Sequence, residues 1–129
     1  YGAMINPRLT EGQVHGGVVQ GIAQALYEEA RYDDDGTLQS STLAEYLVPA
    51  ASDVPPITLG ESITPSPSNP LGVKGVGEAG TIGAAPCVMN AVVDALSGLG
   101  VQDIQMPASP LNVWNAIQQA QANHQETNQ

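Results

Sequence analysis

The sequence predicts an α+β fold, with helices packed on short mixed strands and the whole forming part of a larger domain. Three observations predict it. Val14, Val18, Ile22 and Ala25/Leu26 recur at helical spacing, and Val88, Met89, Val92 and Val93 repeat the pattern later. The stretches ITLGESIT (57–64) and VQDIQM (101–106) alternate or read as strands. Ser109 followed by Pro110 marks the start of a last helix.

The elements follow in order. Residues 1–10 are expected to be extended, with Asn6-Pro7 as a turn. A helix is expected over 11–31, with Gln13, Gly17, Gln20 and Gln24 on a second face. Its four glycines, Gly12, Gly16, Gly17 and Gly21, each weaken an isolated helix by up to ~1 kcal/mol relative to Ala. Such a helix packs closely against another backbone or a ligand. Asp33 to Gly36 reads as a solvated tight turn, and a short helix is expected over 41–47, stopped by Pro49. PSPSNP (65–70) is a polar loop leading through Leu71-Gly72-Val73-Lys74 into a glycine-rich stretch. A buried helix is expected from residue 84 or 86 to 96, ended by Gly98 and Gly100. Leu111, Trp114, Ile117 and Ala120 form the apolar stripe of the last helix, and residues 123–129, including His124, read as a fraying polar tail.

Composition narrows the function. The chain has 129 residues, enough for one modest domain, and its apolar residues are mostly Ala and Val, with one Trp, four Tyr and no Phe. Aromatic side chains dominate core burial, so the chain's own core is expected to be thin and to pack against something larger. Three cations, Arg8, Arg31 and Lys74, stand against thirteen acids, for a net charge of −10. Nucleic-acid binding needs a basic footprint, so no nucleic-acid partner is expected. No apolar run reaches the ~18 residues of a membrane span, so none is expected. The single Cys87 excludes an internal disulfide and a cysteine-rich metal site. Cys87 itself reads as a small buried residue. A reducing, cytoplasmic compartment is compatible with this, and the periplasm stays open. The opening YGAMINP has neither an initiator Met nor a signal peptide and reads as the start of a processed product or of one piece of a longer polypeptide.

The stretch GVGEAGTIGAAP (75–86) satisfies G-x-G-x-x-G. A dinucleotide-binding loop needs a strand directly before it, but here the preceding residues are proline-rich, which central strands exclude. Glu78 would also repel a pyrophosphate. The alternative treats the glycines as geometry: Gly75, Gly77 and Gly80 bare the backbone around Glu78 and permit positive φ. A carboxylate in a water-poor niche has a raised pKa and becomes a usable general base. Spacing alone leaves Glu78 open between that role, a solvated loop residue, and a cap on the next helix.

NPLGVKGVGEAGTIGAAPCVMNAVVDAL resembles the C-terminal segment of the molybdenum-containing subunit of the xanthine oxidase family, the molybdenum hydroxylases. INPRLTEGQVHGGVVQGIAQALYEE resembles the family's cofactor-side helix, and MPASPLNVWNAIQQA its closing helix. The resemblance covers residues 1–122 as the C-terminal portion of a molybdopterin-binding domain. It implies that Glu78 is the catalytic base, taking a proton from water or hydroxyl at the metal for attack on an aldehyde or a ring carbon next to nitrogen. It implies that Gln13 hydrogen-bonds the cofactor, that Lys74 lies near the active site, and that Gly75, Gly77 and Thr81 line the cofactor by backbone. The implied cofactor is molybdenum on molybdopterin, in the cytosine dinucleotide form. Electrons would leave through iron–sulfur clusters to FAD on partner domains or subunits. It implies a small-molecule substrate whose specificity residues lie in parts of the family's subunit absent from this sequence. The chain is therefore expected to be catalytic only with the rest of its molybdopterin-binding subunit. A non-catalytic assembly or binding module derived from the same family is the rival reading.

Overall fold

The structure is a computed structural model and describes residues 1–127. Among the described residues there are three helices, α1 (Pro7–Leu26), α2 (Thr81–Leu96) and α3 (Pro110–Thr127), with 3-10 turns at Ala51–Asp53 and Ser97–Leu99. The mixed strands expected from the sequence do not form among the described residues. The single β-pairing is an isolated antiparallel bridge between Tyr32 and Leu38. Residues 57–64 and 101–106 take part in no ladder. Alternating polarity reports a half-buried extended chain, and pairing needs a partner strand that the chain does not supply.

The backbone divides into two compact units. The first comprises Tyr1–Gly21 and Pro49–Ala84. Its helix begins earlier than expected, because Asn6-Pro7 is a cap rather than a turn. Asn6 Oδ1 accepts the Leu9 N–H at 3.1 Å, and Pro7 takes the first helical position, where its missing N–H costs nothing. The chain start is tied down by Ala3 N–H to Gly72 O at 2.8 Å and Thr64 N–H to Tyr1 O at 2.9 Å. Gly72 has φ +65°, a conformation that favours glycine.

The second unit comprises Ile22–Val48 and Ala85–Gln129. Its buried apolar residues are Ala23, Ala25, Ala85, Val101, Ile104 and Ala108, so alanine dominates and no large side chain is fully buried among the described residues. This is the thin core the composition predicts. Ala108 N–H donates to Ala25 O at 2.6 Å, seating the chain before α3 on the end of α1. The Asp33–Gly36 turn forms as read: Asp33 Oδ1 accepts from Asp35 and Thr37 N–H, and Gly36 has φ +80°. The expected helix over 41–47 is one turn closed on Thr42, whose carbonyl accepts from Glu45 and Tyr46 N–H. Ser109 caps α3 as predicted, its Oγ 3.3 Å from Asn112 N. The helix continues through Thr127, so residues 123–127, His124 among them, are helical and not a frayed tail. Asn128 and Gln129 lie outside the described residues.

Three expectations about α2 are corrected. Only Ala85 is buried in it, so it is apolar but not a buried helix of this chain. Cys87 is exposed rather than a core residue. Thr81–Leu99, α2 with its 3-10 extension, is long and apolar enough to cross a membrane by length and composition, with mean hydropathy 1.5. Asn90 and Asp94 interrupt the apolar residues, which is why no unbroken run stands out in the sequence. On α3, Trp114 is 58% exposed and Leu111 65%, so its stripe too is left largely uncovered.

Candidate functional site

The glycine loop belongs to the first unit and is held at both ends. Upstream, the Asn69 side-chain amide makes a bracket: its Nδ2 donates to Val73 O at 3.0 Å, and its Oδ1 accepts Val73 N–H at 3.1 Å. Gly72 N–H closes a turn onto Asn69 O, with Pro70 at the second position of that turn. Gly72 O then accepts from both Ala3 and Ser66 N–H. A Cβ on Gly2 would run into that same oxygen, so the chain start requires glycine there.

Downstream, the loop ends on α1. Gly80 packs so closely that an added Cβ would meet Val14 O, lie 2.9 Å from Val18 N and 3.1 Å from Gly17 Cα. Reciprocally, a Cβ on Gly17 would lie 3.0 Å from Gly80 Cα and from Thr81 N. Thr81 Oγ1 donates to Gly17 O at 3.0 Å and lies 3.3 Å from Gln20 Oε1. Two of the glycines thus serve one backbone-on-backbone contact, the role close packing gives a helical glycine.

Between these anchors, Ala79 N–H closes a turn on Val76 O, and Glu78 O accepts the N–H groups of Thr81 and Ile82 at 3.1 and 3.2 Å. Glu78 therefore sits on the turn that enters α2. Its carboxylate is exposed and has no hydrogen-bond or ion-pair partner among the described residues, so it caps nothing there. The water-poor niche expected for it is not provided by this chain's own residues. Gly75 and Gly77 have open space where a Cβ would stand, and neither has positive φ. They bare the loop without a special backbone conformation, which corrects the sequence expectation for them and for Gly80. The N–H groups of Gly75, Gly77 and Glu78 donate to no described residue.

Gln13 is exposed on α1, one turn before Gly17 and so on the stripe that Gly17 turns toward the loop. Lys74 is exposed, without an ion pair among the described residues, and borders a hollow of about 300 Å³ lined also by Met4, Ile5, Leu9, Val73 and Val76. Thr81 is the first residue of α2, with its hydroxyl engaged on α1. Sequence reasoning missed the Asn69 bracket and the Gly17–Gly80 contact. The N-P-L-G spacing was a turn signal for the first. For the second only the glycine excess in α1 pointed to a close approach, without saying to what.

Among the described residues no three or more His, Cys, Asp or Glu come together to hold a metal ion. The donor set is instead neutral: bare backbone N–H groups and the Gln13 amide, beside one free carboxylate. Such neutral donors can hydrogen-bond an organic cofactor and are not the ligand set of a bare cation.

Residues 1–55 match the family model of the molybdopterin cofactor-binding domain. The chain is 40% identical to the carbon monoxide dehydrogenase large chain of Afipia carboxidovorans, over 92% of this chain and 15% of the relative. It is 44% identical to the nicotine 6-hydroxylase large subunit of Paenarthrobacter nicotinovorans, over 89% of this chain and 14% of the relative. The crystal structure of quinoline 2-oxidoreductase from Pseudomonas putida 86 superposes with a TM-score of 0.87 at 45% identity, covering 92% of this chain and 15% of that one. The chain therefore spans about 15% of the length of the relatives it matches.

Proposed function

The chain belongs to the molybdopterin-binding large-subunit family of the molybdenum hydroxylases, and from that premise we propose that it is the C-terminal segment supplying the general base of a molybdenum-dependent hydroxylation. One observation carries this reading. Glu78 presents a free, exposed carboxylate on a loop anchored at both ends, with bare backbone before it. A general base must be placed to within hydrogen-bond reach of the proton it removes, and a doubly anchored loop places it.

When bound, the molybdenum cofactor supplies the two-electron oxidation, and the protein supplies orientation and proton transfer. Gln13 would hold the cofactor by its side-chain amide, which can donate and accept. The N–H groups of Gly75 and Gly77 would approach it from the loop, because no side chain intervenes. Glu78 would accept the proton that makes an attacking oxygen nucleophilic. Lys74, four residues away, would contribute positive charge near the carboxylate. The low-dielectric surround that tunes such a base would come from the rest of the subunit, to which this chain is a minor part.

The same reasoning assigns α2. Its uncovered apolar surface would pack on the remaining part of the molybdopterin-binding subunit. Asp94 and Asn90 favour this over a bilayer, where a carboxylate at mid-depth costs ~2.5–3.5 kcal/mol. Electrons would pass to iron–sulfur and FAD partners, and the cofactor would be the cytosine dinucleotide form. Two of the relatives are named for N-heterocycles, nicotine and quinoline, which favours an N-heterocycle over an aldehyde as the small-molecule substrate.

The test is Glu78→Gln in the complete enzyme, with molybdenum content measured alongside turnover. Loss of general-base catalysis is expected to lower kcat by at least ~10²-fold with molybdenum retained. Near-normal turnover with molybdenum bound would overturn the assignment.

A further inference from the structure

The family resemblance implies that Thr81 lines the cofactor through its backbone, and its side chain is engaged on α1. We infer that Thr81 is a positioning residue that fixes the Glu78 carboxylate relative to Gln13 by tying the base loop to α1; the inference rests on the reading of Glu78 as the base.

The connection is continuous. Thr81 Oγ1 donates to Gly17 O at 3.0 Å, and Thr81 N–H donates to Glu78 O at 3.1 Å. One residue thus links the helix carrying Gln13 to the backbone carrying Glu78. Gln20 Oε1, 3.3 Å from the same hydroxyl, offers it a second acceptor on the next turn of the helix. The close approach of Gly80 to α1 at Gly17 sets how near the two backbones come, but a contact without side chains has no interlocking group to resist sliding. A directional hydrogen bond does, since it weakens steeply as its angle departs from linear. Gly17 O is a helix carbonyl with a second lone pair, so it can accept the hydroxyl without surrendering its helical partner.

Upstream, the Asn69 bracket ends at Val73, leaving residues 74–79 without a side-chain hydrogen bond to any described residue. The downstream link therefore decides where Glu78 stands. Displacement of a catalytic group by about 1 Å can cost ~10²-fold in rate. Loss of the hydroxyl, which loosens rather than removes the anchor, is expected to lower kcat by ~10-fold with KM changed less than ~2-fold.

The experiment compares Thr81→Val, which keeps the shape and removes the hydroxyl, with Thr81→Ser, which keeps the hydroxyl, in the complete enzyme. Thr81→Val should lower kcat alone, and Thr81→Ser should restore it. Amide hydrogen exchange provides a readout independent of turnover. The peptide covering residues 75–82 should exchange faster in Thr81→Val and at the native rate in Thr81→Ser, in cofactor-free and loaded protein alike. Native kcat and native exchange in Thr81→Val would overturn the inference, as would Thr81→Ser failing alongside it. Glu78→Gln is run in parallel: if it turns over normally, the base assignment fails, and the exchange comparison alone decides whether Thr81 clamps the loop.

Discussion

Gly80 rests directly on the backbone of α1, its Cα close enough to Gly17 that neither position has room for a methyl group. The four glycines of α1 are thereby not equivalent. Gly12 and Gly16 have nothing within 4 Å of an added Cβ. Gly17→Ala and Gly80→Ala should each destabilise the protein by about 1–3 kcal/mol, because the obstructing atoms are backbone and cannot rotate away. Gly12→Ala and Gly16→Ala should stabilise it by about 0.5–1 kcal/mol, since the entropic cost of a helical glycine is removed at open positions. Urea unfolding of the four variants checks the sign at each site; a uniform response would show that α1 and the loop do not pack as described.

Asn6 and Ser109 perform the same task at the starts of α1 and α3, each followed by a proline at the first helical position. Asn6→Ala and Ser109→Ala should each lower stability by about 1 kcal/mol, with Asn6→Asp nearly neutral. The Ser109 contact is the longer, at 3.3 Å against 3.1 Å, so its loss should cost the less of the two. Denaturant midpoints of the three variants test this.

These two caps also show what could be read in advance. Ser-Pro reads as a helix start and Asn-Pro as a turn, although the chemistry of an oxygen acceptor before proline is the same in both. The strands were misread for a different reason. Residues 57–64 and 101–106 have the right alternation, but a ladder is a property of two segments, and one segment's pattern does not contain its partner. The burial of α2 is legible only in part: Val88, Met89, Val92 and Val93 announce a face that is half-buried, while Ile82, Pro86, Cys87 and Ala91 on the rest of the helix stay exposed. At the site, Glu78 and Gln13 were legible through local motifs. The Asn69 bracket was partly legible as a turn, and the Thr81–Gly17 bond, spanning 64 positions, was not.

Tyr46 donates its hydroxyl to Glu28 Oε2 at 2.9 Å. That hydrogen bond, followed by burial and the charge of Glu28, raises the Tyr46 pKa above the ordinary tyrosine value. A raised folded-state pKa means that the protonated phenol is favoured in the native state. The contribution to stability is therefore complete below about pH 10 and is lost as pH rises through the raised value. The stability difference between the native protein and Tyr46→Phe should stay constant from about pH 7 to 9 and shrink above about pH 10. Glu28→Gln should bring the Tyr46 titration, followed by tyrosinate absorbance, back toward the ordinary value. An unchanged titration in Glu28→Gln would assign the shift to burial instead.

Cys87 is exposed on α2, a helix in which only Ala85 is buried. If α2 packs on the rest of a large subunit, the thiol must be covered there, because its neighbours one turn away, Gly83 and Ala91, are small and bring any packed element close. Maleimide should label Cys87 readily in this chain alone and slowly in the complete subunit, with labelling of the Cys87 peptide quantified by mass spectrometry. A large protection factor, ~10²-fold or more, is the expectation if covering is lost only on local opening worth at least ~2.7 kcal/mol. Equal labelling in both would leave α2 on an outer surface of the assembly and remove the packing argument for its apolar composition. Protection appearing only with lipid vesicles, and not with the subunit, would assign that composition to a bilayer.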